Sequence, residues 1–107
     1  MDKERQIRGW KNYNEGERFE LRVLYKLRKR NHLTIRSAGS RTPVDIISFR
    51  RGSIWWVVVK KNGYLPPKER TELEKLRSAI PLHPEWGRVQ IKLAYLGKGR
   101  RIRFKNL

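Results

Sequence analysis

A run of six apolar residues, Ile54 to Val59 (IWWVVV), constrains the fold of this chain more than any other feature. Successive side chains of a strand point to opposite faces, as Trp55 and Trp56 do, so a strand made only of apolar residues is buried on both faces. The run is far too short to span a bilayer, which requires about 20 residues. It therefore predicts the central strand of a covered β-sheet.

The segment before this run predicts one helix and two strands. Apolar residues recur at helical spacing over 17–30, and Asn14 is a suitable N-cap for that helix. The segments 33–37 and 44–50 alternate apolar and polar residues, as half-buried strands do. Residues 1–13 are basic and lack a clear period, so we expect them to form a mobile, basic N-terminal arm.

The segment after the run predicts a second helix and two further strands. The pair Pro66-Pro67 opens the helix, and strands follow at 89–95 and after the Gly-Lys-Gly turn at 97–99. A strand, a helix and a strand in succession make a parallel crossover. We therefore expect a single α/β domain over 14–107, with the order α-β-β-β-α-β-β and a central mixed β-sheet flanked by helices.

The charge balance indicates an anionic partner. The 107 residues include 27 Lys and Arg against 10 Asp and Glu, which gives a formal net charge of +17. Lys and Arg neutralise phosphates and release counterions, so nucleic acid is the expected partner. Binding to a membrane surface would need exposed apolar residues on a basic helix, whereas the apolar positions here are required for a core. We expect no membrane partner.

The scarcity of cysteine and histidine limits the metal chemistry. There is no cysteine and there are two histidines, which excludes disulfides and leaves too few ligands for a zinc cluster. The first residues have no apolar segment of the kind found in secretory signals. We expect an intracellular protein, in the cytoplasm or nucleoid, or in the host-cell cytoplasm if the source is a virus.

Asp45, Lys60 and Glu20 are the candidates for a catalytic site. Asp45 begins the second strand and Lys60 ends its hairpin partner, so the two should meet at one edge of the sheet, which Glu20 in the first helix can approach. A carboxylate there can hold a hard divalent cation, and a lysine can orient a water or stabilise charge on a phosphate. The alternative is that these residues have no catalytic role: Asp45 would be an ordinary residue at the sheet edge, and Lys60 would keep the end of its strand solvated.

These residues belong to a pattern that resembles the archaeal-type Holliday junction resolvases, a branch of the PD-(D/E)XK nuclease superfamily. The resemblance rests on GERFE at 16–20, RSAGS at 36–40, Asp45 within PVDII and the apolar strand that ends at Lys60. It covers most of residues 14–80. It implies a restriction-endonuclease-like fold and a homodimeric, metal-dependent endonuclease that resolves four-way DNA junctions with Mg²⁺, or with Mn²⁺ as a substitute.

The resemblance also implies a role for each residue of the pattern. Asp45 would be the central metal ligand, and Glu20 would lie at the same metal site, with Glu17 as the alternative on that helix. The backbone carbonyl of Val59 would be a further ligand. Lys60 would be the catalytic lysine, close to the attacking water.

Val58 departs from the resolvase pattern, which has Glu, Asp or sometimes Gln two residues before the lysine. Valine has no oxygen to give to a metal, and three explanations stay open. In the first, the ligand has moved to Glu69 or Glu72 in the second helix. In the second, Asp45, Glu20, a carbonyl and waters suffice, with reduced activity. In the third, the chain is catalytically inactive, by nature or by alteration of position 58, and binds junctions or other DNA without cutting them.

Further residues are expected to touch the nucleic acid. By the same resemblance, Ser40 in the glycine-containing loop assists at the scissile phosphate. Basic side chains around and beyond the site would contact the DNA backbone, which positions a duplex without reading its sequence. These are Arg8, Lys11, Arg36, Arg41, Lys61, Lys98, Arg100 and Arg101. A basic RNA-associated or ribosome-associated protein is the remaining class, although it leaves RSAGS followed by Asp45 unexplained.

Overall fold

The computed structural model describes residues 3–30, 32–37, 43–79 and 88–107, with side chains from residue 15 onward except at residue 88. A short 3-10 turn, Lys98–Arg100, joins the last two strands. The other elements, in chain order, are α1 (Lys3–Lys29), β1 (Leu33–Arg36), β2 (Ile46–Arg50), β3 (Ser53–Val59), α2 (Pro67–Ala79), β4 (Arg88–Leu96) and β5 (Ile102–Asn106). Neither helix has an apolar stretch long enough to cross a membrane within these described ranges.

The five strands form one mixed sheet in the order β1-β2-β3-β4-β5. β3 and β4 run parallel, joined by the crossover through α2, and every other neighbouring pair is antiparallel. The predicted α/β fold, the order of its elements and the mixed sheet are confirmed. β3 occupies the middle of the sheet, as its apolar residues predicted.

β3 separates two apolar cores, because adjacent residues of a strand face opposite sides. Val57 and Val58 are both fully buried. The core on the α1 side consists of Phe19, Val23, Leu24, Leu27, Ile46, Val57, Ala94 and Ile102. The core on the α2 side consists of Val44, Val58, Leu65, Leu73, Ile91 and Leu93. Each fully buried side chain of this size contributes about 1.5–3 kcal/mol through the hydrophobic effect, so the layers hold β3 firmly.

α1 is longer than the sequence predicted. The helix begins at Lys3, so Asn14 lies inside it and is not its N-cap. Residues 3–13 continue the helix where we expected a mobile arm. Lys, Glu, Arg and Gln are good helix formers, and their propensity extends a helix even where no apolar stripe reveals it. The division of the chain into an arm over 1–13 and a domain over 14–107 stays a prediction.

Candidate active site

Asp45 and Lys60 lie at the same edge of the sheet. Asp45 immediately precedes β2 and Lys60 immediately follows β3, and these antiparallel strands pair Ile46 with Val57. The backbone N–H of Val59 donates a hydrogen bond to Oδ2 of Asp45 over 2.7 Å. The backbone N–H of Asp45 donates to the carbonyl of Val57 over 3.0 Å. The hairpin register therefore brings the predicted aspartate to the end of the predicted lysine strand.

Lys60 forms an ion pair with Glu69, in the first turn of α2. Nζ of Lys60 donates a hydrogen bond to Oε1 over 3.1 Å and lies 3.0 Å from Oε2. Oε2 is shielded from solvent, and its contact with Nζ lacks the geometry of a hydrogen bond. A carboxylate in the first turn of a helix is also favoured by the helix dipole. Glu72, one turn further along α2, is exposed. Of the two glutamates proposed to replace the missing ligand, Glu69 is the one in contact with Lys60.

Glu20 reaches the same region from α1, where it pairs with Arg36 at the end of β1. Nε of Arg36 lies 3.0 Å from Oε1 of Glu20, and Nη1 lies 3.3 Å from Oε1 of Glu17. The pKa of the Arg36 guanidinium is raised, chiefly by its hydrogen bond to Glu20. Arg36 was predicted to contact the DNA backbone. In the structure it holds both candidate carboxylates of α1, so fewer of its donors are available to a phosphate.

The electrostatics around Asp45 connect these groups. Burial raises the pKa of the Asp45 carboxyl above its ordinary value of 3.8, while the hydrogen bond from the Val59 N–H opposes that shift. The negative charges of Glu20 and Glu69 raise the pKa further, and the positive charge of Lys60 lowers it. The carboxylate of Asp45 is thus close enough to those of Glu20, from α1, and Glu69, from α2, to be repelled by both. A cation among them would relieve this repulsion.

These residues fit an open magnesium site better than a closed one. In the part of the chain that the structure describes, no three Asp, Glu, His or Cys side chains are close enough together to enclose a metal ion. Mg²⁺ usually needs only one or two carboxylates, because it keeps waters and takes substrate phosphates as its other ligands. Asp45 and the shielded Oε2 of Glu69 meet that requirement. The ion pairs of Glu20 and Glu69 are partly exposed, and such pairs contribute only about 0–1 kcal/mol, so a cation can compete for these carboxylates.

Val58 lies on the α2 side of β3 and contributes packing alone. Its side chain is fully buried in the α2-side core. Because side chains alternate along a strand, positions 58 and 60 share a side of the sheet, and Glu69 approaches from that side. Glu69 therefore supplies a carboxylate on the side of the sheet where a glutamate at position 58 would lie.

Several of the other predicted DNA contacts lie outside the described residues. Ser40 and Arg41 fall within 38–42, and the side chains of Arg8 and Lys11 are likewise outside them. Lys61 is exposed next to Lys60. An open depression of about 540 Å³ lies at this point, and it is lined by Val59, Lys60, Lys61, Asn62 and Leu96. Its position beside Lys60 and its basic wall suit a phosphate group.

A second basic surface lies on the α1 side of the sheet towards β5. It is an open cavity of about 460 Å³, termed here the cationic cleft, and it is lined by Lys26, Arg30, Trp55, Lys92, Arg101, Ile102, Arg103 and Phe104. Arg101 was predicted to bind DNA from the sequence, whereas its basic neighbours were missed. The available signal was the concentration of basic residues at 100–105, which include the exposed Arg101, Arg103 and Lys105 in and before β5. Lys98 and Arg100, also predicted DNA contacts, are exposed in the adjoining turn.

Comparison with known proteins finds similarity among solved structures. No protein-family model matches the sequence, and no curated protein matches it. Nine chains among the solved structures do match. One is Archaeoglobus fulgidus Hjc, a Holliday junction resolvase from an archaeal hyperthermophile, with a TM-score of 0.60 and 24% sequence identity over 83% of this chain and 73% of that chain. The chain therefore has the fold of that resolvase.

Proposed function

We propose that this chain is a Mg²⁺-dependent endonuclease that cuts four-way DNA junctions. The observation that carries the proposal is that Asp45, Lys60 and Glu69 lie together at one edge of the sheet. The fold is that of a Holliday junction resolvase. The net charge of +17 supports a nucleic-acid substrate. Membership of the PD-(D/E)XK superfamily, with the likeness in fold as support, is part of the same proposal.

The proposed roles follow from the contacts at the site. Asp45 would hold the magnesium ion together with Glu69, with Glu20 and the Val59 carbonyl as the other candidate ligands. When bound, the ion would act as a Lewis acid on the scissile phosphate and lower the pKa of a water. The hydrogen bond from the Val59 N–H fixes one oxygen of Asp45 and leaves the carboxylate oriented at the strand end. Lys60 would stabilise the negative charge that builds up on the phosphate during cleavage.

A homodimer is part of the proposal, because a four-way junction offers two symmetric strands to cut and a two-fold assembly presents two sites. An exposed apolar surface on the edge of the sheet supports it. Leu33 of β1 is 68% exposed and lies opposite the exposed Phe49 of β2, and Ile35 of β1 is also exposed. Exposed apolar surfaces of this kind often mark protein interfaces.

Cleavage of a labelled four-way junction tests the proposed function. The wild-type protein should cut the junction in the presence of Mg²⁺ or Mn²⁺ and leave a linear duplex of the same sequence intact. Asp45→Asn keeps a hydrogen-bond acceptor for the Val59 N–H but loses the charge, so its cleavage rate should fall at least about a hundredfold. Equal cutting of junction and duplex, or full activity of Asp45→Asn, would contradict the proposal.

A junction-binding protein without catalytic activity is the second candidate. The fully buried Val58 favours it, because the position that carries a ligand in the resolvase pattern here belongs to an apolar core. This candidate predicts tight junction binding and no product with either metal ion. The cleavage assay therefore separates the two candidates directly.

A further inference from the structure

The cationic cleft is well separated from the candidate active site. Trp55, in the floor of the cleft, precedes Lys60 by five residues of extended chain, a span of roughly 16 Å. The cleft is assembled from four elements, with Lys26 on α1, Lys92 on β4 and Arg103 on β5. A ligand in the cleft therefore occupies a different part of the surface from a phosphate beside Lys60.

Among the residues that the structure describes, no acidic side chain pairs with the basic side chains of the cleft. None of the described residues that line the cavity is an Asp or a Glu. All three ion pairs found among the described side chains lie at the candidate active site, where they involve Glu17, Glu20 and Glu69. The pKa of Lys26 is lowered, first by burial and then by the positive charges of Arg30, Arg103, Arg101 and Arg22. Positive charges thus repel one another across the cleft, and a bound anion would remove that repulsion.

Two of these cations are held in fixed positions by neutral groups. Nζ of Lys26 donates to the carbonyl of Ile102 over 3.4 Å. Nζ of Lys92 lies 4.8 Å from the ring centroid of Trp55 and also donates to the side chain of Asn106. Trp55 in turn packs against Phe104, with ring centroids 5.8 Å apart. Because these contacts already restrict the lysines, less conformational entropy is lost when an anion binds.

We propose that the cationic cleft binds the phosphate backbone of duplex DNA, as a contact separate from the cleavage site. Several Lys and Arg that form no ion pair with any described side chain, gathered in an open cleft, suit a polyanion that continues past either end of the cavity. A membrane surface is a poorer match, because its binding requires apolar side chains that insert, and Ile102 is buried here. The inference that the cleft binds an anion rests on its own residues. The inference that this anion is DNA rests on the proposed function.

The test compares two triple variants that remove the same charge. Lys26→Gln, Arg30→Gln and Arg103→Gln together neutralise the cleft. Lys68→Gln, Arg70→Gln and Lys75→Gln together neutralise three residues of α2 and serve as the control. Fluorescence anisotropy measures the affinity of each protein for a labelled linear duplex and a labelled four-way junction, in EDTA and at several NaCl concentrations.

The expected result is a selective decrease in affinity for the cleft variant. Its affinity for duplex should fall at least about tenfold more than that of the control. The slope of log affinity against log salt should decrease by about 0.9 for each phosphate that the variant no longer neutralises. Thermal unfolding checks that both triple variants fold. If the triple variant of the cleft does not fold, the single variant Arg103→Gln, at an exposed position, replaces it.

Two results would overturn the proposal. Equal decreases in the two triple variants would mean that only the total charge matters, and an unchanged affinity of the cleft variant for duplex would mean that the cleft does not bind the DNA backbone. Because binding is measured without a metal ion, a failure to cut junctions would contradict the proposed function and leave this test unaffected.

Discussion

The candidate active site and the cationic cleft contain the same kinds of basic residue in opposite arrangements. At the site, Lys60 and Arg36 are paired with Glu69 and Glu20, and the pairs hold each side chain in place. In the cleft, Lys26 and its neighbours repel one another, and neutral groups hold them. Paired charges favour a fixed geometry, whereas unpaired charges favour the capture of an oppositely charged ligand. The contrast separates a region suited to chemistry from a region suited to binding.

The largest expected effect comes from placing an unpaired charge beneath the site. Val58→Glu puts a carboxylate into the fully buried, apolar α2-side core. The free energy of unfolding should fall by about 3–5 kcal/mol, as for other uncompensated buried charges. Urea denaturation at pH 7 measures it, with Val58→Thr, which keeps the side-chain shape, as the milder control. A Val58→Glu variant with unchanged stability and faster cleavage would mean that position 58 faces the site after all.

The next effect concerns the carboxylate that pairs with Lys60. Glu69→Gln should reduce the cleavage rate and weaken Mn²⁺ binding by at least about tenfold, the scale on which even indirect partners change metal affinity. Glu72→Gln removes the same charge one turn along α2, from an exposed position, and should change either quantity by less than about twofold. Cleavage assays and Mn²⁺ titration followed by electron paramagnetic resonance give the two readouts. Equal behaviour of the two variants would exclude Glu69 as the replacement for a carboxylate at position 58.

The charge balance at the site also predicts a pH dependence of stability. Burial and the neighbouring carboxylates raise the pKa of Asp45 above 3.8, so the folded state binds this proton more tightly than the unfolded state. The contribution of Asp45 to stability is therefore fully present below pH 3.8 and is lost as the pH rises through the higher folded-state pKa. An asparagine is neutral at every pH, like the protonated Asp45, so Asp45→Asn avoids the cost of a buried negative charge. Its Tm should exceed that of the wild type near pH 7, and the advantage should disappear towards pH 3.8. A wild-type Tm that rises relative to Asp45→Asn as the pH increases over the same range would contradict the sign.

The smallest effect comes from unpairing the carboxylates of α1. Arg36→Gln removes the partner of Glu17 and Glu20, both of which are partly exposed. The loss of stability should be about 0–1 kcal/mol, as for other surface ion pairs. The salt dependence of DNA binding should hardly change, because the guanidinium is already engaged by carboxylates, and Arg103→Gln in the cleft gives the contrasting result. A large decrease in the salt slope for Arg36→Gln would show that Arg36 contacts phosphate directly.

The fold could be predicted from the sequence because its main signals are local. The apolar residues at 54–59 can be buried on both faces only in a central strand, and the turn at 51–53 fixes β2 against β3 as a hairpin. The same short-range register brings Asp45 to the end of the strand that precedes Lys60. The start of α1 could not be predicted from apolar periodicity, because residues 3–13 form a helix on propensity without that period.

The sequence by itself thus determined the central strand, the order of the elements and the edge where Asp45 and Lys60 meet. Only the tertiary structure decided which acid contacts Lys60, because Glu69 and Glu72 are one helical turn apart and the docking of α2 on the sheet brings the first of them into reach. Only the tertiary structure assembled the cationic cleft, whose residues come from α1, β3, β4 and β5. The physical reason is the same in both cases: local propensity and alternation act over a few residues, whereas packing and strand register bring distant residues together.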